Sequence, residues 1–212
     1  MHPGLIIGFA LGGSTLAIAW RTLAEVVRLR RLGRAPYTTV AAAAAGDRCR
    51  LVGVIAPGPT LTAPLTGRPC VAYHAAVEDE AVDGAAALRD EQGLAFLLAD
   101  ATGQALVEPQ GAELWIEEPG RTWHAALGGA GGREQAFVVA HAVRVADWRL
   151  GMRVRCVERI LAIGDPVAVI GHIVREPDPD GARFATGYRD ALPTRVRLLA
   201  SRGRPLVITD RP

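Results

Sequence analysis

Cys70, His74 and Asp100 are the residues whose types could support nucleophilic chemistry, because together they can be written as a Cys–His–Asp set. In "CVAYHAA", read as a strand, alternation places Cys70, Ala72 and His74 on one face. Cys70 and His74 are then successive positions along that face rather than opposed, so their side chains need not meet. A small apolar cysteine in such a run reads first as core. Glu158 raises a different possibility. In "RVRCVERI" the alternation puts Val154, Cys156, Glu158 and Ile160 on one face and Arg153, Arg155, Val157 and Arg159 on the other. A carboxylate on an apolar face must be paired or hydrogen-bonded, since isolated burial costs several kcal/mol. It is either a ligand-contacting acid in a barrel mouth or a structural acid bonded to backbone amides or an arginine.

Trp115, Trp123 and His124 form the remaining candidate group, with Trp148 further along and the glycine-rich "GGAGG" beside them. The tryptophans suit either stacking on a ligand or covering a barrel end. The candidate binding residues are therefore Glu158, Trp115, Trp123 and His124. No catalytic residue, metal ligand or cofactor is expected: Cys49, Cys70 and Cys156 form no C-x-x-C pair, and "DATG" has no second carboxylate or histidine close by in sequence.

Short strands must position these residues. "RCRLVGVI", "PCVAYHAAVED", "LAFLLAD", "QALVEP", "AFVVAHAVRV", "MRVRCVERILAI", "DPVAVIGHIVRE", "RVRLLA" and "PLVITD" are apolar or alternating runs, punctuated by segments rich in Gly, Pro and Asp. Within "LLADATGQALVEP", Asp100 accepts from the amides of its own turn, and Gly103 is expected at φ > 0. Gly171 marks a bulge or a place where a side chain would obstruct packing. The expected fold is mainly β, an OB-like small barrel or sandwich of short antiparallel strands, preceded by one N-terminal transmembrane helix. The expected boundaries are 1–34 for the membrane and arginine-rich juxtamembrane helix, 35–45 for a linker, and 46–212 for the β domain.

The membrane expectation comes from "PGLIIGFALGGSTLAIAW", Pro3 to Trp20, which carries no charge. As a helix it spans roughly 27 Å, close to a hydrocarbon core. A cleaved secretory signal would use Ala17 to Ala19, but Met1-His2 supplies no basic n-region. The positive charge follows instead, in Arg21, Arg28, Arg30, Arg31 and Arg34, which keeps that flank cytoplasmic and lets it attract anionic lipid. The expected topology is single-pass, N-terminus out, at the cell membrane. The 212-residue chain has a net charge of +2, which gives no general electrostatic case for nucleic acid. All 24 of its cations are arginine, the mark of a high-GC prokaryotic coding bias.

The order membrane helix, "GVIAP", "APLTGRPCVAYHAAVEDE", "FLLADATGQALVEP", "ERILAIGDPVAVIGHIV" and "PLVITD" resembles the GIDE domain, also called BAM for "beside a membrane". That family includes a membrane-bound ubiquitin ligase and many prokaryotic proteins. The resemblance covers about residues 46 to 210, and Pro64, Leu65, Gly67, Pro69, Cys70, Asp100, Gly103, Glu158, Gly164, Asp165 and Gly171 carry it. The ligase's RING has no counterpart here, so ubiquitin transfer is not implied; nor is a second membrane helix found before Pro212. The resemblance implies a membrane-anchored, non-catalytic recognition or scaffolding module with an unidentified protein or small-molecule ligand. The alternatives are a membrane-tethered OB-type nucleic-acid binder and a Cys70-dependent hydrolase. The first is disfavoured by aromatic residues at 5 % and by Glu78, Asp79 and Glu80 in the first hairpins.

Overall fold

The computed structural model describes residues 35–81, 87–117, 120–128, 132–141, 151–178 and 194–211. The chain divides into two units, Met1–Pro36 and Tyr37–Pro212. The expected membrane helix, its five flanking arginines and Trp148 lie outside the described residues. Among the described residues no helix is long and apolar enough to cross a membrane.

In chain order the first strands are β1 (Arg48–Ile55), β2 (Leu61–Thr62), β3 (Pro69–Cys70), β4 (Ala72–Asp79), β5 (Ala87–Gly93), β6 (Phe96–Asp100) and β7 (Gly103–Val107). They are followed by β8 (Glu113–Trp115), β9 (Arg121–Ala126), the helix α1 (Arg133–His141), β10 (Arg153–Leu161), β11 (Pro166–Pro177), β12 (Thr194–Leu199) and β13 (Val207–Thr209).

Five of these close a barrel. β1 pairs with β6, β6 with β7, β7 with β12, β12 with β11, and β11 returns to β1. Every pairing in the ring is antiparallel except β7–β12, which is parallel. Such a ring leaves no free edge and is consistent with an OB-like barrel. Leu51, Ile55, Leu98, Val107, Ile173 and Leu198 point inward and are buried. Each such side chain contributes roughly 1.5–3 kcal/mol through burial. β11 is the organising strand. One edge pairs with β1 along Pro166 to His172, while the other passes from β13 to β12. Gly171 sits where that change is made. A Cβ there would lie 2.5 Å from Leu206 Cδ1 and 3.3 Å from Leu198 Cβ, so the close approach expected at this glycine is present.

The second layer is a four-stranded sheet, β5-β4-β10-β9, assembled from two insertions in the barrel chain. β4 and β5 lie between β1 and β6, whereas β9, α1 and β10 lie between β7 and β11. Tyr73, Val77, Val154, Cys156, Phe137 and Val138 build a separate core between this sheet and α1.

Three expectations change. The segment read as a linker belongs to the β domain, which begins at Tyr37 rather than Gly46. Its small residues let it lie flat against the barrel, where Val40 and Ala43 are buried. Arg175 donates from Nε and Nη2 to the carbonyls of Ala43 and Ala41, each at 2.9 Å. "AFVVAHAVRV", read as a strand, supplies most of α1, because a short apolar run is ambiguous between the two periods. Gly103 has no positive φ. It is small because the Tyr37 to Gly46 segment straps over it: a Cβ would stand 3.3 Å from Val40 Cγ1.

Asp100 fastens that strap. Its Oδ2 accepts from the Val40 amide at 2.8 Å. Its Oδ1 accepts from the Thr102 amide and hydroxyl at 2.6 and 2.7 Å and from the Gly103 amide at 3.0 Å. Partial burial pushes the carboxyl up, but the bonds from Thr102, Val40 and Gly103 outweigh it and hold Asp100 below its ordinary 3.8. The native pKa is the lower one, so this stabilisation is complete above about 3.8 and is lost as pH falls through the native value. Asp100→Ala should therefore cost roughly 1–3 kcal/mol at neutral pH. The parent's advantage in melting temperature should shrink below pH 4 (a loss that begins only as the carboxyl protonates). A variant that melts no lower than the parent at neutral pH contradicts this account.

Candidate functional site

β10 carries the alternation expected of it. Val154 and Cys156 are fully buried, and Glu158 is 2 % exposed on the same face. Its carboxylate bonds to the backbone of the β2–β3 loop: Leu65 N donates to Oε1 at 2.7 Å and Thr66 N to Oε2 at 2.9 Å. A loop amide is the natural partner here, because β2 and β3 are two residues each and leave the residues between them with few ladder bonds. Gly67 completes the turn at φ 72°, its amide donating to the Ala63 carbonyl at 2.9 Å.

β9 pairs with β10 so that Arg121 stands opposite Glu158 and Trp123 opposite Cys156. Such directly opposed residues share a face. Leu65, Thr66, Arg121, Thr122, Trp123 and Glu134 together line an open cleft of about 450 Å³. That volume lies within the range of small-molecule sites. The indole is held in place: Trp123 Nε1 donates to Glu134 Oε1 at 2.9 Å, linking β9 to the first turn of α1. The cleft thus has an aromatic wall, an apolar contact in Leu65, two threonines and a guanidinium.

The four residues expected to bind do not converge. Trp123 lines the cleft, and Glu158 shapes it from beneath through Leu65 and Thr66. His124 lies on the other face of β9, with Nδ1 2.5 Å from Glu80 Oε1. Trp115 is buried at the end of β8, which runs parallel to β13, and is no part of the cleft. Leu65, Thr66, Arg121, Thr122 and Glu134 were missed. Nothing in a single sequence signals that they meet, since they come from three segments joined only by sheet pairing and helix docking.

The Cys–His–Asp set is not assembled. The chain bends at Val71, so Cys70 joins the core of the second layer with Tyr73 and Ala75, while His74 faces outward and pairs with Glu91 at 2.5 Å. Asp100 is occupied at the strap. Burial, and then the Glu158 carboxylate, push the Cys70 thiol up to about 11. Burial pushes Cys156 up to about 12. Thiols so shifted are almost wholly protonated near neutral pH, the unreactive form. A second polar cluster, also unsignalled by sequence, docks the far end of α1. Asp90 Oδ2 accepts from the Tyr73 hydroxyl at 2.7 Å and lies 3.7 Å from His141 Nε2. Burial and the bond to Asp90 raise the Tyr73 pKa. Among the described residues, no group of three or more His, Cys, Asp or Glu side chains could hold a metal ion.

No family model matches the chain, and neither a curated protein nor a solved structure matches it.

Native protein treated with iodoacetamide at pH 8 should gain no carbamidomethyl group on Cys49, Cys70 or Cys156, all three of which are buried. The denatured protein should gain all three, counted by intact mass. Rapid alkylation of native Cys70 contradicts its placement in the core.

Proposed function

We propose that the protein is a membrane-anchored, non-catalytic recognition module of the GIDE type, with its β domain on the cytoplasmic side and the cleft beside Trp123 as its recognition surface. The cleft is the observation that carries this reading. It combines a pinned indole, an apolar contact and polar side chains, the composition of a small ligand site. It lies on the inserted sheet, whose helix, loop and strands have no part in closing the barrel. The anchor follows from the uncharged run Pro3 to Trp20 and the arginines after it.

The nucleic-acid alternative draws no support from the barrel face that OB folds use. The outward positions of β6 and β7 include Leu97, Ala99, Gln104 and Leu106, with no aromatic ring to stack on a base. The Cys70 hydrolase reading lacks a reactive thiol and a facing base.

Two measurements test the proposal. A reporter fused after Pro212 should be active in the cytoplasm; activity confined to the outside overturns the topology. A benzophenone side chain installed at position 66, on the loop wall of the cleft, should give a discrete photo-adduct in native membranes, lost on Trp123→Ala. The same group at position 104, on the barrel face, should give none. Equal adducts at both positions, or none at 66, remove the cleft as the recognition surface.

A further inference from the structure

Several arginines elsewhere in the domain pair with carboxylates. Arg155 pairs with Glu78, Arg153 with Glu80, Arg195 and Arg197 with Glu176, and Arg211 with Glu117. At the cleft the two nearby carboxylates are engaged by other groups. Arg121 and Arg133 make no ion pair and donate no side-chain hydrogen bond among the described residues, although two carboxylates lie within the same site. Glu158 is directly opposite Arg121 in the β9–β10 register, the usual place for a cross-strand ion pair. Its two oxygens are instead committed to the amides of Leu65 and Thr66. Glu134 follows Arg133 at the start of α1, and its carboxylate is committed to the Trp123 indole.

A second guanidinium lies beside Gly67, the residue that follows the cleft's Thr66. The Arg133 guanidinium occupies the space a side chain at Gly67 would need, with Cζ and Nη2 each 2.7 Å from an ideal Cβ there. Gly67 adjoins Thr66, and Glu134 adjoins Arg133; both neighbours line the cleft. The nine-residue helix α1 also begins here, and its first turn adds a partial positive charge. Arg121, which lines the cleft without a partner, and the Arg133 guanidinium beside Gly67 at its margin suit an incoming oxyanion.

We infer that the cleft is a site for an organic oxyanion: Arg121 and Arg133 take its phosphate or carboxylate group, and Trp123 and Leu65 take its apolar part. This rests on the recognition reading above and gives it a ligand chemistry. Two sources present this chemistry, a free organic anion and a phospholipid headgroup, and they are separable by experiment.

The test uses the full-length protein in the neutral detergent dodecyl maltoside, titrated calorimetrically with phenyl phosphate. A parallel series uses micelles doped with phosphatidic acid, against phosphatidylcholine as the uncharged reference. Saturable binding is expected, weakened about tenfold or more by Arg121→Gln and measurably by Arg133→Gln. Arg121→Lys should restore part of it. Arg89→Gln, which removes the same charge from β5, should leave it unchanged, and unaltered melting temperatures certify the fold of each variant. Binding of free phenyl phosphate with this pattern identifies a soluble ligand. The pattern seen only in phosphatidic acid micelles identifies a headgroup. No saturable binding in either series, or equal weakening by Arg89→Gln, overturns the oxyanion inference. If the photo-adduct at position 66 survives that result, the cleft stands as a recognition surface and only its ligand chemistry falls.

Discussion

One buried carboxylate governs the layout of the second layer. Glu158 is the only charged residue buried in the described part of the chain. Its position on the apolar face of β10 obliges it to find donors, and the Leu65 and Thr66 amides supply them. Three consequences follow. The β2–β3 loop is drawn onto the sheet and becomes a cleft wall. Arg121 is deprived of its cross-strand partner and left facing the cleft. The charge also adds to burial in suppressing the Cys70 thiolate. Removing the carboxylate would orphan two amides, at roughly 1–3 kcal/mol for each.

The barrel and the inserted sheet divide the work of the fold. The barrel closes on itself through β11 and β1 and buries its own core. The Tyr37 to Gly46 strap adds Val40 and Ala43 to that core and is fastened by Asp100 and Arg175. Val71, Ala72 and Leu161, at the roots of the inserted strands, join the barrel core, while the remainder of the insertions builds a second core and a surface of its own. Functional groups commonly sit on such additions to a rigid scaffold.

The sequence disclosed what periodicity can disclose. Alternation in "RVRCVERI" placed Glu158 on the buried face, and the Gly-, Pro- and Asp-rich separators marked most strand ends. The crowding at Gly171 was also legible, since a glycine inside an apolar strand asks for a packing reason. Three things were not. The strap looked like a connector because its alanines carry no pattern, and its role appears only when Asp100 reaches across 60 positions to Val40. α1 was hidden because its apolar run fits a strand as well as a helix. The cleft was invisible except for Trp123, since Leu65, Thr66 and Glu134 come from separate segments and no motif joins them to it. The bend at Val71 likewise separates Cys70 from His74 where simple alternation would have put them on one face.

The central claim is that Glu158 holds the β2–β3 loop rigidly as part of the sheet. Amide hydrogen exchange at Leu65 and Thr66 tests it most directly. Both amides should be protected to the degree of the β4 and β10 ladder amides, and Glu158→Gln should release them by an order of magnitude or more while the barrel amides of β11 stay protected. Exchange of the Leu65 and Thr66 amides at the rate of an open loop in the unsubstituted protein would contradict the account.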